Sequence, residues 1–260
     1  KRQILGFIIV RGIKVMSWNF IFGMPEEGLT RGGIWPAIVG TFCLVGGSML
    51  FAFPVGVMSG IYINEYAKDN LIKRFIKLMT NNLAGVPSIV FGLFGMSFFV
   101  NTMGFGDSII AGSLTLGLLV LPVVIRTTEE ALKSIDNTFR EASYALGAGK
   151  LETIHRTILP MAMPNVLTGL ILSIGRVSGE TAPILFTVAA YFLPKLPHSI
   201  FDQVMALPYH LYVITTSGTN IEESRPMAYG TALVLILIVL FLNLLTNFIR
   251  RILSRNNKMS

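Results

Sequence analysis

The chain is poor in charge, cysteine and histidine, and each scarcity removes a class of function. Asp, Glu, Lys and Arg make up only 13% of its 260 residues, against 52% apolar, and the mean hydropathy is +0.65. A soluble domain of this length exposes more charge, so the composition describes a multi-pass membrane protein. Cys43 is the single cysteine; it stands in an apolar run and forms no internal disulfide, which leaves the redox compartment undetermined. His155, His198 and His210 are the only histidines and lack ligand spacing, so no metal site is expected. No phosphate-cradling Walker loop is present, and the Gly-rich stretches stand in apolar helices, so ATP is expected to bind elsewhere. Glu129-Glu130 and Glu222-Glu223 read as solvated charges rather than paired catalytic carboxylates. The net charge of +7 is spread between apolar spans, which assigns it to membrane topology rather than to nucleic acid. No repeat of the solenoid or inverted-carrier kind is visible.

What is abundant is apolar segments. Residues 34–62, 83–100, 108–125, 163–190 and 228–249 read as spans, and 71–79 as an interfacial helix with Leu71, Ile72, Phe75, Ile76 and Met79 opposite Lys73, Arg74 and Lys77. The expected fold is all-α, a polytopic transmembrane helical bundle. Residues 1–33 are expected to be a stub and loop, the remnant of an additional helix, because the apolar patch at 4–10 is too short to cross a bilayer. Residues 34–250 form the transmembrane domain with a loop at 127–160, and 251–260 a basic tail. A long polar region is expected at 191–226, and Arg126 is expected to snorkel at the interface. Basic clusters at 68–77, 133–156 and 250–258 alternate so as to share one side, which the positive-inside rule makes cytoplasmic.

One polar segment interrupts the apolar pattern, FREASYALGAGKLETIHRTILP at 139–160. Asp136 or Asn137 can cap a helix there, and Gly147 and Gly149 can end it. Ala142, Ala145 and Ala148 let a facing surface approach the backbone, while Glu141 suits the helix N-terminus. The segment resembles the EAA loop of ABC-importer permeases, with Glu141, Ala142, Gly147, Leu159 and Pro160 in register; Ser143 replaces an Ala, and Thr157 an Ile. The resemblance implies a coupling helix that seats in a cleft of a cytoplasmic ATPase through Glu141, Ala142, Ser143, Ala145, Gly147, Leu159 and Pro160.

A second polar motif, Gly175-Arg176-Val177-Ser178-Gly179-Glu180-Thr181-Ala182-Pro183, stands inside the span expected at 163–190. Burying Arg at the bilayer centre costs about 2.5–3.5 kcal/mol on insertion scales. An i,i+4 ion pair recovers only about 0.2–0.5 kcal/mol in an isolated helix. On a continuous helix Arg176 and Glu180 share a face with Gly169, Ser173 and Thr187, which lines either an anion path or an interhelical clamp. With Ala206-Leu207-Pro208 and Ser217-Gly218 downstream, this motif is similar to that of PstA-type permease subunits of phosphate-specific ABC importers, a branch of the MetI-like permeases. The resemblance implies a substrate path at Arg176 and Glu180 with Thr181 and Ser173 beside them, and uptake of inorganic phosphate by alternating access. It also implies a second Pst-type permease subunit completing a heterodimer, and an ATPase dimer carrying ATP and Mg, so that this chain itself is no enzyme and holds no cofactor. A periplasmic or extracellular phosphate-binding protein would deliver substrate to the complex in the inner or plasma membrane. The readings set against it are a permease for another oxyanion, a secondary carrier or channel, and a phosphate-sensing membrane scaffold.

Overall fold

A computed structural model of the chain describes residues 2–26, 29, 31–216 and 221–256. Ser217, Gly218 and Lys258 lie outside them, as do the side chains of Glu222 and Glu223. In chain order the described residues form α1 (Arg2–Ile13), α2 (Trp18–Phe22), a hairpin of β1 (Pro25–Glu26) and β2 (Arg31–Gly32), α3 (Trp35–Ile61), α4 (Leu71–Ala84), α5 (Ser88–Gly95) and α6 (Ile109–Lys133). These are followed by α7 (Asn137–Ala145), α8 (Lys150–Thr153), α9 (Leu159–Val177), α10 (Ala182–Thr187), α11 (Leu207–Thr216) and α12 (Ile221–Asn256). The fold is all-α, as the composition requires. Among the described residues, four helices are long and apolar enough to cross a bilayer, five if the bent pair of α4 and the Ser88–Thr102 helix is one span.

The observed helices depart from the expected spans at particular residues. The span expected at 83–100 is cut at Gly85, and its helix starts at Ser88 and runs on as a π turn to Thr102. Pro87 holds Val86 out of the helical region, and the chain turns by 101° there. The span expected at 163–190 begins earlier and ends earlier: α8, a π turn at Ile154–Ile158 and α9 make one helix from Lys150 to Val177. It stops there because Gly179 tolerates the exit and Pro183 has no N–H for a continuing ladder. α6 runs to Lys133 rather than 125, so only residues 134–149 connect it to the next span. The stretch at 17–33 is not plain loop but holds α2 and the hairpin, and the patch at 4–10 is part of α1. The region at 191–226 is not uniformly polar loop either, since it contains α11, with Leu207, Pro208, Tyr209, His210, Val213 and Ile214 buried.

The chain divides into two compact units. The first comprises Lys1–Ser48, Pro87–Gly117 and Val177–Phe241. Within it α10 packs on α5 at Gly92, where an added Cβ would lie 2.9 Å from the Phe186 ring and 3.0 Å from the Ala182 carbonyl oxygen. The loop before α11 caps α6: the Ile109 and Ile110 N–H groups donate to the carbonyls of Asp202 (2.9 Å) and Ile200 (3.0 Å), satisfying donors that a helix start leaves open. The Leu207 N–H donates to Thr41 Oγ1 at 2.9 Å, and that hydroxyl donates on to the Ala37 carbonyl, which ties the start of α11 to α3.

α11 buries His210 at 2% exposure, with neither ring nitrogen hydrogen-bonded among the described residues. Burial pushes its pKa down from 6.5 to about 4, so the imidazole is neutral at pH 7. The unfolded chain then binds more protons than the folded one between pH 6.5 and 4, so stability is complete above pH 6.5 and is lost as pH falls toward 4. Lowering pH from 7.5 to 5 is expected to remove about 2 kcal/mol through this residue. Thermal unfolding in detergent at the two pH values checks it: His210→Leu should shrink the difference, and an equal difference in both proteins would refute the assignment.

The second unit comprises Met49–Val86, Leu118–Arg176 and Leu242–Ser260. Its core joins Ala131 and Leu132 of α6 to Ile158, Ala162 and Val166, with Phe53, Val57 and Ile61 of α3 packed against them. Gly60 allows α3 to lie close to α6, since a Cβ there would come within 2.7 Å of Thr128 Cβ. α4 has no buried residue; Leu71, Ile72, Phe75, Leu78 and Met79 are exposed, so its apolar face has no cover among the described residues. Asn70 caps it by accepting from the Lys73 N–H at 2.9 Å. Lys73 itself pairs with Asp69 at 2.9 Å, and its hydrogen bond and charge hold that carboxyl below the usual range.

Candidate functional site

The segment after α6 is built around α7. The Asp136 carboxylate accepts from the Thr138 N–H (2.9 Å) and hydroxyl (3.0 Å), which caps the helix and lowers the Asp136 pKa. At the other end the Leu146 and Gly147 N–H groups donate back to the carbonyls of Ala142 and Tyr144. Gly147 has φ +87°, and a Cβ there would meet nothing within 4 Å, so glycine is needed for its backbone angle and not for space. Glu141, Ala142, Ala145 and Gly147 are exposed, and Ser143 is half-buried with its hydroxyl 2.9 Å from that of Thr153. Leu159 and Pro160 sit one helix further on, at the start of α9. Beside them Ile158 is wholly buried in the core while Thr157 is only half-buried, so the apolar anchor of this turn is Ile158.

Two features of this segment escaped the sequence reading. Tyr144, Leu146 and Leu151 are 43%, 90% and 73% exposed in an otherwise polar connection, forming an apolar surface with no cover among the described residues. Arg140, immediately before Glu141, is the anchor that holds α7 in place. Its guanidinium donates to Glu65 Oε1 (2.7 Å), to the carbonyls of Leu132 and Ile135 (both 3.0 Å) and to Asn137 Oδ1 (3.2 Å). One side chain therefore ties α7 to the end of α6 at Leu132, to the turn after it at Ile135, and to the π turn Tyr62–Tyr66 that ends α3. The Arg140 and Glu65 side chains are 14% and 7% exposed. Lys150 adds a second tie to the same turn, with Nζ 4.8 Å from the centroid of the Tyr66 ring.

Nearby, Glu129 is not the solvated charge expected from the sequence. It is buried and ion-paired with Lys77 of α4 and Lys133 of its own helix. Glu130 is exposed and pairs with Arg126 at 3.0 Å, so Arg126 is held by a carboxylate one turn away. These charges line a cavity of roughly 200 Å³, and within it they are largely compensated.

The second motif is divided by the end of α9. Ser173 and Arg176 lie on that helix in the second unit, with Arg176 half-buried in its last turn, where the helix dipole favours a cation. Glu180 and Thr181 belong to the first unit, in the turn and cap leading into α10, and both are half-buried. The shared helical face expected for Arg176, Glu180 and Thr187 therefore does not form, because the helix carrying the first residue stops at Val177. The face of Gly169, Ser173 and Arg176 does form. Gly169 packs against Thr127 of α6, and Ser173 is 1% exposed with its hydroxyl unpaired among the described residues. Asn243 of α12, which interrupts a long apolar run, lies beside Gly175, and its Oδ1 is likewise buried and unpaired among the described residues. The second unit thus keeps unspent hydrogen-bonding capacity on α9 and α12 near Arg176.

Residues 52–258 match the family of binding-protein-dependent transport system inner membrane components. The chain belongs to this permease family. The probable ABC transporter permease protein YqgI of Bacillus subtilis is 36% identical to it, over 93% of this chain and 85% of that protein. Phosphate transport system permease protein PstA 1 of Mycobacterium tuberculosis is 40% identical, over 91% and 75%. The PstA protein of Yersinia pestis is 34% identical, over 95% and 82%. Among solved structures, a chain of a bacterial alginate ABC transporter superposes with a TM-score of 0.71 at 15% identity, covering 97% of this chain and 89% of that one. An inward-facing MetNI methionine ABC transporter gives 0.62 at 19%, covering 85% and 94%. These two likenesses show the fold, that of MetI-like ABC permeases. A multi-pass membrane protein accounts for the exposed apolar side chains of α4 and α12.

Proposed function

We propose that this permease carries inorganic phosphate into the cytoplasm by alternating access, driven by a separate ATPase dimer. The observation that carries the substrate is its similarity, at 32–41% identity over most of its length, to permeases named for phosphate transport. The half-buried Arg176 supports it chemically: a permanently charged planar guanidinium gives paired N–H donors to a tetrahedral oxyanion, and Ser173 and Asn243 stand on the elements around it with hydrogen bonds still to make. Glu180 and Thr181, in the turn and cap before α10, are the other residues proposed for the path; a carboxylate accepts from the protonated oxygen of hydrogen phosphate, which sulfate lacks.

In this reading α7 is the coupling helix. Glu141, Ala142, Ser143, Ala145 and Gly147 present a small-residue surface to the ATPase, and Tyr144, Leu146 and Leu151 supply apolar area that association would cover. Leu159 and Pro160 begin the helix that carries the movement to Arg176. The coupling helix and the C-terminus face the cytoplasm by the placement of the basic clusters. A second, Pst-type permease subunit completes the pore as a heterodimer, and a phosphate-binding protein on the other side delivers substrate.

Radiolabelled phosphate uptake into vesicles holding the assembled complex tests the proposal. Uptake should require ATP and binding protein, and excess sulfate or molybdate should leave it unchanged. Competition by either would move the assignment to another oxyanion, and uphill uptake without nucleotide would make the chain a secondary carrier.

A further inference from the structure

Cationic side chains gather at one other place, away from both motifs. In the first unit α1 lies along the start of α12. Gly12 makes the approach possible, since a Cβ there would come within 2.8 Å of the Tyr229 carbonyl oxygen and 2.9 Å of Leu233 Cβ. The Phe7 and Tyr229 rings meet edge to face at 5.5 Å, and the Arg11 guanidinium sits over the Phe7 ring at 5.2 Å. Between the two helices is a cavity of roughly 520 Å³, the size range of sites for drug-sized ligands. Arg11 and Lys14 of α1 and Arg225 of α12 supply its cationic wall, Phe7, Pro226 and Tyr229 its apolar one, and no described lining residue is acidic. The cavity around Glu129 differs on this point, because there carboxylates already balance the lysines and the arginine.

We propose that the cleft between α1 and α12 is a binding site for one anionic phospholipid, its phosphodiester held by Arg11 and Lys14 and an acyl chain lying along the outer side of α1. Three observations select a lipid as the occupant. The cations stand where the candidate span of α12 begins, at Ser224, which is headgroup depth for a helix that crosses the bilayer. Leu5, Phe7, Ile9, Val10 and Ile13 of α1 are 42–62% exposed, so an apolar surface leads away from the cationic wall. The cavity is also far larger than one phosphate ion, and half of its named wall is aromatic or proline, which gives free phosphate no partner. In the orientation proposed above, the site faces the outer leaflet. It lies in the first unit, whereas Ser173 and Arg176 lie in the second.

Native mass spectrometry of the delipidated complex, titrated with phosphatidylglycerol or phosphatidylcholine, tests the site. The wild-type complex should retain phosphatidylglycerol in preference to phosphatidylcholine, with millimolar inorganic phosphate failing to displace it. The Arg11→Gln/Lys14→Gln double variant should bind phosphatidylglycerol roughly ten- to thirtyfold more weakly. Both positions are exposed, and Arg11→Lys, which keeps the charge, should retain most of the affinity, so loss of fold is separable from loss of the site. Equal retention of the two lipids, unchanged binding by the double variant, or displacement by inorganic phosphate would each overturn the proposal. A double variant that binds lipid normally but no longer binds the substrate-binding protein would reassign the surface to a protein partner. Phosphate uptake is scored separately, so failure of the lipid site leaves the substrate reading standing.

Discussion

Arg176→Gln should reduce phosphate uptake by about a hundredfold or more while the complex still assembles and still hydrolyses ATP at its basal rate. Glutamine keeps much of the side-chain length and some hydrogen-bonding capacity but removes the charge. Removing one preorganised donor to an oxyanion costs about 2.7–4 kcal/mol in enzyme sites shielded from water, and losing a full charge in a membrane path costs at least as much. Arg176→Lys keeps the charge without the planar fork, so uptake should fall between the two. Blue-native electrophoresis and uptake in the same vesicles separate the path from the clamp. A clamp loses assembly in Arg176→Gln, whereas a path loses transport alone. Unchanged uptake by an assembled Arg176→Gln complex would remove Arg176 from the path.

The second large effect is expected at Glu65. Removing its carboxylate leaves the Arg140 guanidinium nearly buried with carbonyl oxygens as its remaining partners. Breaking a buried pair from one side typically destabilises by about 3–5 kcal/mol. Glu65→Ala should therefore lower the unfolding temperature of the complex and raise the ATP hydrolysed per phosphate transported, because Arg140 then no longer ties α7 to the turn that ends α3. Exchanging the two residues, Glu65→Arg with Arg140→Glu, should not rescue coupling. A carboxylate at position 140 would face the Leu132 and Ile135 carbonyls, which need a donor. Glu65→Asp should rescue in part. The decisive quantity is the coupling ratio: if it stays normal in a destabilised Glu65→Ala complex, the anchor is structural and transmits nothing.

Much of the permease was legible in the sequence because the signals are local. The spans follow from run length, the two-faced character of α4 from its periodicity, and the α7 turn from Asp136 and Gly147, whose cap and positive φ are properties of a few adjacent residues. The helix ends were less legible. Gly85 to Pro87 and Gly179 to Pro183 carry break signals inside apolar stretches, but hydropathy alone runs straight through them. The Arg140 anchor was invisible because its carboxylate partner is 75 positions away. Glu129 looked solvated for a similar reason, since Lys77 arrives from a different helix. Asn243 does carry a signal, as an amide that follows an unbroken apolar run from Ala232 to Leu242.

Sequence alone therefore determined that the chain is a helical membrane permease, and where α7 starts and stops, because hydrophobic run length, caps and glycine backbone angles act over a few residues. Tertiary structure decided which charges meet across the fold. It paired Glu65 with Arg140 and Glu129 with two lysines, ended the helix that carries Arg176 before Glu180 is reached, and brought Arg11 and Lys14 to the head of α12. Electrostatic compensation depends on distance in space, and distance along the chain does not record it.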